Sequence, residues 1–104
     1  MIPKRNNSHL KKDLHKESQR FSIFDTEGNY AASGMIVDSS TLSIFDTDGQ
    51  YISTGHFISE DRFNIFDSEE QFVGYGLVTN ETEFKIYNTE DELISEGMLI
   101  KGTD

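Results

Sequence analysis

Cysteine is absent from this sequence of 104 residues, and only nine lysines and arginines stand against 19 aspartates and glutamates. The absence of cysteine excludes disulfide bonds and thiolate chemistry, whether for metal binding or for nucleophilic catalysis. No apolar run approaches the roughly 20 residues that a membrane-spanning helix needs. The basic segment at residues 1–6 leads into no apolar stretch, so we expect no secretory signal and a cytoplasmic location.

Recognisable catalytic motifs are lacking as well. The histidines are His9, His15 and His56, and none of them belongs to a catalytic set with serine or aspartate or to a metal-spaced cluster. The segment Asp46-Thr47-Asp48-Gly49 resembles the opening of a calcium loop, but Phe57 stands where such a loop needs a glutamate. The sequence therefore predicts a protein that is not an enzyme and that holds no cofactor and no metal.

What the sequence does contain is an internal repeat. The segment Ser43–Tyr51 recurs at a fixed spacing of 21 residues, without gaps, as Ser22–Tyr30, Asn64–Phe72 and a divergent copy, Lys85–Leu93. Each copy follows a phenylalanine or leucine and precedes a glycine, and these residues are Phe21, Leu42, Phe63, Phe84, Gly34, Gly55, Gly76 and Gly97. Such a period indicates tandem structural units. We divide the chain into a basic segment, 1–20, and a four-unit domain, 21–104, with units 21–41, 42–62, 63–83 and 84–104.

Within each unit, apolar and polar residues alternate with the period of two that is typical of a β-strand. Asp25-Thr26-Glu27-Gly28 then matches a type I turn closed by a glycine bulge, which is a common hairpin connection. Glu70 and Asp91 take the glycine position in the last two units, which we expect to cost stability. The prediction is an all-β domain of four hairpins, with eight antiparallel strands in a meander that forms either an open curved sheet or an up-and-down barrel.

Pairing the strands about these turns gives each hairpin two faces. The first face is the predicted core, in which Ile23 lies opposite Ala31. Its other members are the pairs Ile44–Ile52, Ile65–Val73 and Ile86–Ile94, the residues Phe21, Leu42, Phe63 and Phe84, and then Met35, His56, Leu77 and Met98. His56 stands where the other units have methionine or leucine, so we expect it at the edge of the core.

The second face carries the glycines and an aromatic stripe close to the turns. The stripe consists of Phe24, Tyr30, Phe45, Tyr51, Phe66, Phe72 and Tyr87, and the far end of the face has Ile36, Phe57, Val78 and Leu99. An apolar surface on this scale usually marks an interface. We therefore expect a homodimer joined through the aromatic stripe.

Charge is distributed unevenly along the chain. Residues 1–20 hold six lysines and arginines against two acids, a net charge of +4, whereas residues 21–104 hold three against 17, a net charge of -14. Ten of the acids fall in the predicted hairpin turns, namely Asp25, Glu27, Asp46, Asp48, Asp67, Glu69, Glu70, Glu90, Asp91 and Glu92. Because all the hairpins point the same way, these residues should form one acidic edge. The basic segment either forms a short helix over residues 9–17, capped by Ser8, or remains a tail.

An acidic domain without catalytic residues favours a function in binding. Our leading hypothesis is a non-enzymatic protein that binds and inhibits a basic protein, such as a nucleic-acid-processing enzyme, in the manner of a DNA-mimic inhibitor or an immunity protein. It would bind neither nucleic acid directly nor membranes, because the domain is strongly negative. One alternative is a scaffold module that self-assembles through the aromatic face. Another is a small-ligand carrier, if the eight strands close into a barrel.

Overall fold

Residues 19–100 form an eight-stranded antiparallel β-barrel. The structure is a computed structural model that describes residues 19–100, so the predicted helix over residues 9–17 lies outside the described residues. The strands are β1 (Arg20–Asp25), β2 (Tyr30–Asp38), β3 (Thr41–Phe45), β4 (Tyr51–Ser59), β5 (Arg62–Asp67), β6 (Phe72–Val78), β7 (Glu83–Asn88) and β8 (Leu93–Leu99). Each strand pairs with the next, and no helix occurs between residues 19 and 100. The predicted antiparallel meander is confirmed.

Pairing of β1 with β8 closes the barrel and decides between the two predicted architectures. Phe21 lies opposite Leu99 and Ile23 lies opposite Gly97 across this seam. The backbone N–H of Ile100 also donates to the carbonyl oxygen of Arg20 at 2.8 Å. Closure satisfies the backbone groups that an open sheet would leave unpaired at its two outer strands.

The hairpin turns have the predicted geometry. In the first turn the N–H of Gly28 donates to the carbonyl oxygen of Asp25 at 3.0 Å, and the N–H of Asp25 donates to that of Asn29 at 2.8 Å. Gly28 and Gly49 have φ angles of 86° and 84°. Glu70 and Asp91 have φ angles of 65° and 66°, so both hold a left-handed conformation that disfavours residues with a Cβ.

The predicted pairing breaks down one residue beyond the aromatic pair. Phe24 lies opposite Tyr30 as expected, but Ile23 lies opposite Ala32 and not Ala31. Ala31 is the extra residue of a β-bulge. Equivalent shifts place Ile44 opposite Ser53, Ile65 opposite Gly74 and Ile86 opposite Ser95. One extra residue moves every later side chain of the return strand to the other face of the sheet.

The prediction was therefore correct for the first strand of each hairpin and for the aromatic pair, and wrong for the return strand from the bulge onward. Four residues expected in the core, Met35, His56, Leu77 and Met98, lie on the outside of the barrel. The predicted outer residues Ile36, Phe57, Val78 and Leu99 instead point inward with the glycines. His56 is exposed, and its ring meets that of Phe66 edge-on with the centroids 5.6 Å apart.

The core is built from large side chains on the first strands and glycines on the return strands. Phe21, Phe63 and Phe84 are at most 1% exposed. Phe84 makes edge-to-face contacts with the other two rings, both at a centroid distance of 5.3 Å. An eight-stranded barrel has an interior just wide enough to be filled by side chains, and these rings fill its middle.

Candidate functional site

The four hairpin turns lie together at one end of the barrel, which we call the turn end. It comprises residues 25–29, 46–50, 67–71 and 88–92, which connect β1 to β2, β3 to β4, β5 to β6 and β7 to β8. All ten predicted acidic-edge residues fall in these segments, and none of the four segments contains lysine, arginine or histidine. Because the sheet closes, the acids form a ring around the barrel end and not a row along a sheet edge.

One acid in each of the first three turns serves the turn itself. Oδ1 of Asp25 accepts hydrogen bonds from the backbone N–H groups of Glu27 at 2.9 Å and Asn29 at 2.8 Å. The bond from Asn29 is the main reason that the pKa of the Asp25 carboxyl lies below its usual value. Asp46 and Asp67 accept equivalent pairs of bonds, and Asn88 does so in the fourth turn. These positions stabilise the hairpins.

Two more turn-end acids have partners of their own. The hydroxyl of Tyr75 donates to Oδ1 of Asp91 at 2.6 Å, and this bond raises the pKa of Tyr75. Nδ2 of Asn88 donates to Oε1 of Glu92 at 2.9 Å. Within residues 19–100, the side chains of the other five acids are exposed and make no hydrogen bond or ion pair; they are Glu27, Asp48, Glu69, Glu70 and Glu90. We call these five residues the free carboxylates.

The barrel interior opens at the turn end into an apolar depression of about 240 Å³, which we call the mouth. Its floor is formed by Ile23, Ile44, Ile65 and Ile86, its wall by Ala32, Ser53, Gly74 and Ser95, and its rim by the bulge residues Ala31, Ile52, Val73 and Ile94. The floor isoleucines are at most 5% exposed, whereas Ile52, Val73 and Ile94 are more than 40% exposed. The mouth is thus an apolar opening inside the ring of acids.

Sequence reasoning missed the mouth because it placed the four rim residues within the core. A signal was present, however. Tyr51-Ile52, Phe72-Val73 and Leu93-Ile94 are pairs of consecutive apolar residues, and such pairs break the alternation of a regular strand. A break at the same position in successive hairpins is typical of a bulge.

The predicted aromatic residues lie on the outer wall of the barrel near the turn end, where they form the aromatic belt. Three of the four hairpins have an edge-to-face pair: Phe24–Tyr30, Phe45–Tyr51 and Phe66–Phe72, with centroids 6.1, 6.2 and 5.9 Å apart. Tyr87 instead stacks on Tyr75, with centroids 5.3 Å apart. Arg62 lies over the Tyr75 ring at 4.2 Å. The belt lies on the outside of the barrel and meets the mouth at Tyr87, which also lines the depression.

Other kinds of site are not seen in the part of the chain that the structure describes. Between residues 19 and 100, no three acidic or histidine side chains are grouped so as to hold a metal ion. No helix in this range is long and apolar enough to cross a membrane. The turn end, with its mouth and its free carboxylates, is the most distinctive surface of the barrel.

Comparison with known proteins adds little to this description. No protein-family model matches the chain, and no curated protein matches it. Among solved structures, the chain is similar to a redesigned β-barrel, with 13% sequence identity, coverage of 86% of this chain and 93% of that chain, and a TM-score of 0.45. A likeness this distant carries no conclusion about function.

Proposed function

We propose that this protein is a non-enzymatic interaction protein that binds a basic protein at its turn end and thereby inhibits it. The observation that carries the proposal is the asymmetry of charge along the barrel axis. Ten acids and no cationic residue occupy the turn end. The opposite end holds Arg20 and Arg62 at the starts of β1 and β5, with only five acids, Asp38, Glu60, Asp61, Glu81 and Glu83.

The ring of acids produces a negative field that favours a positively charged partner. Steering by such a field raises association rates and weakens with added salt. The five free carboxylates have no competing partner among residues 19–100, so they are available to lysine or arginine side chains. The three turn aspartates, in contrast, use Oδ1 to hold their own hairpins and add to the negative charge of the ring.

Nucleic-acid-processing enzymes are the partners that we propose, because their substrate sites are positively charged. Neighbouring hairpins are two strands apart, so the turn acids repeat at roughly 10 Å around the ring. Duplex DNA carries one charge per about 1.7 Å of axis, so the ring resembles DNA in sign and regularity more than in charge density. A DNA-mimic inhibitor or an immunity-type protein would act by occupying that basic site.

A capture experiment with two matched variants tests this proposal. The turn-end variant carries Glu27→Gln, Glu69→Gln and Glu90→Gln, and the control carries Glu60→Gln, Glu81→Gln and Glu83→Gln at the opposite end. Both remove the same number of charges by the same chemistry. We expect the wild type and the control to capture the same basic protein from the native host, the turn-end variant to lose it, and the captured enzyme to be inhibited.

Capture that is insensitive to salt, or that both variants retain equally, would overturn the proposal. Oligomers of the protein alone that persist as salt is added would favour the alternative function, self-assembly through the aromatic belt. The exposure of Tyr30, Tyr51 and Phe72, between 45% and 50%, favours this alternative. However, the belt runs around the outside of a closed barrel. A second copy that binds on one side can cover only the aromatic pairs on that side.

A further inference from the structure

The mouth is apolar, and attraction between the acidic ring and a basic partner does not require an apolar opening at the turn end. Three β-branched side chains, Ile52, Val73 and Ile94, are kept more than 40% exposed at its rim, directly above a buried isoleucine floor. Exposed aliphatic groups that surround an apolar depression gain free energy when another apolar group covers them. No side chain of residues 19–100 fills the depression, whose volume is about 240 Å³.

The surroundings of the mouth indicate which apolar group would enter it. Glu27, Asp48, Glu69 and Glu90 supply one free carboxylate from each of the four hairpins, so negative charge surrounds the mouth on every side. An anionic or neutral amphiphile would gain nothing from this ring, whereas a group with nearby cations would be attracted to it. The floor and rim are aliphatic and hold no carboxylate, so the cations must stay outside the mouth.

We propose that the mouth receives one large apolar side chain of the basic partner, flanked in the partner's sequence by lysine or arginine residues that reach the free carboxylates. This inference rests on the proposed function and adds the means of recognition. The acidic ring attracts many basic surfaces, and the mouth selects those that present an apolar side chain among the cations.

The size of the mouth favours a side chain over a free small molecule. Pockets for drug-sized ligands usually enclose about 300–1,000 Å³ and bury most of the ligand surface. The mouth is smaller, at about 240 Å³, and its rim residues Ile52, Val73 and Ile94 are more than 40% exposed. It therefore suits a group that is held in place by contacts outside the depression, as a side chain is by its own backbone.

Two synthetic peptides test the inference on the full chain. One has a central tryptophan with two lysines on each side, and the other has serine in place of the tryptophan. Because the protein has no tryptophan, the fluorescence of the peptide reports its environment directly. We expect the tryptophan peptide to bind roughly tenfold or more tightly than the serine peptide, with a blue-shifted emission, since one large apolar side chain becomes buried.

Variants of the rim show whether the mouth is the place of burial. Ala31→Phe should fill the mouth from within and abolish the difference between the two peptides, while binding of the serine peptide persists. The matched control is Val37→Phe, which introduces the same side chain at an exposed position near the opposite end of the barrel and should change nothing. If Ala31→Phe does not fold, Ile52→Ser should reduce the preference for tryptophan by making the rim polar.

The outcomes separate the two proposals. Equal binding of both peptides, or a preference that survives filling of the mouth, would refute the inference and leave the proposed function standing. Failure of both peptides to bind at low salt would refute both. Equally tight binding of N-acetyltryptophanamide, which has no cation, would refute the inference in favour of a small-ligand site.

Discussion

The ring of Phe63 lies directly against the backbone of Gly76, its cross-strand neighbour in the β5–β6 hairpin. A Cβ at residue 76 would overlap the end of that ring. Gly34 and Gly97 stand in the same relation to Phe21 and Phe84. The repeated glycine is therefore required by the space that the core phenylalanines occupy.

Replacing Gly76 by alanine should destabilise the barrel by about 1–3 kcal/mol, because the Phe63 ring must leave its position. Gly55→Ala is the matched control. Its cross-strand neighbour is Leu42, whose Cδ1 would lie 2.7 Å from the new Cβ and can move more easily than a ring. The ring of Phe63 comes no closer to that Cβ than 3.1 Å, so it needs to give way only slightly. Urea unfolding should show a smaller loss for Gly55→Ala, and equal losses would contradict this explanation of the glycines.

The positive φ angles at Gly49 and Glu70 lead us to expect that one substitution destabilises the protein and another stabilises it. Gly49→Val should lower the free energy of unfolding by about 1–2 kcal/mol, because a β-branched residue would have to adopt a left-handed conformation. Glu70→Gly should raise the melting temperature, since Glu70 already holds a φ angle of 65° at the cost of strain. Glu70→Gln controls for the loss of charge and keeps the strain. If the Glu70→Gly variant has no higher melting temperature than the Glu70→Gln variant, the strain at residue 70 is negligible.

The Asp25 turn should lose stability in acid. Its carboxyl has a lowered pKa in the folded state, so its stabilising effect is complete above the unfolded pKa and is lost as the pH falls through the folded value. Asparagine accepts the same two backbone bonds in the fourth turn, at Asn88, and does not titrate. Asp25→Asn should therefore match the wild type near neutral pH and lose less stability below about pH 4. Parallel acid unfolding curves for the two proteins would contradict this prediction.

Much of the fold was predictable from the sequence because short-range patterns of residues specify strands and turns. The alternation around Ile23, the Asp25 turn and the fixed period predict hairpins, because each signal lies within a few adjacent residues. Closure could not be predicted, since it depends on how the twist of eight strands brings β1 to β8. The inward position of Ile36 was missed for a different reason: a single bulge at Ala31 reverses the faces of the whole return strand. The mouth was missed with it.

Substitutions in the aromatic belt can test whether the protein forms a homodimer. We propose a homodimer in which belt pairs on one side of the barrel meet those of a second copy. Phe45→Glu combined with Phe66→Glu should then give a soluble monomer in light scattering, because a charged group in an apolar contact is costly to desolvate. A wild-type protein that is monomeric at high micromolar concentration would exclude the dimer and leave the belt exposed on the outer wall of the barrel.

The proposed function depends most directly on the binding of cationic groups at the turn end. The place where they bind can be measured directly. Isotope-labelled full-length protein is titrated with the peptide of four lysines around a central tryptophan, and the amide shifts are followed by NMR. We predict that the largest shifts occur in residues 25–29, 46–50, 67–71 and 88–92, and that they diminish as salt is added. Shifts that are largest in the opposite loops, residues 38–41, 59–62 and 79–82, would contradict the claim.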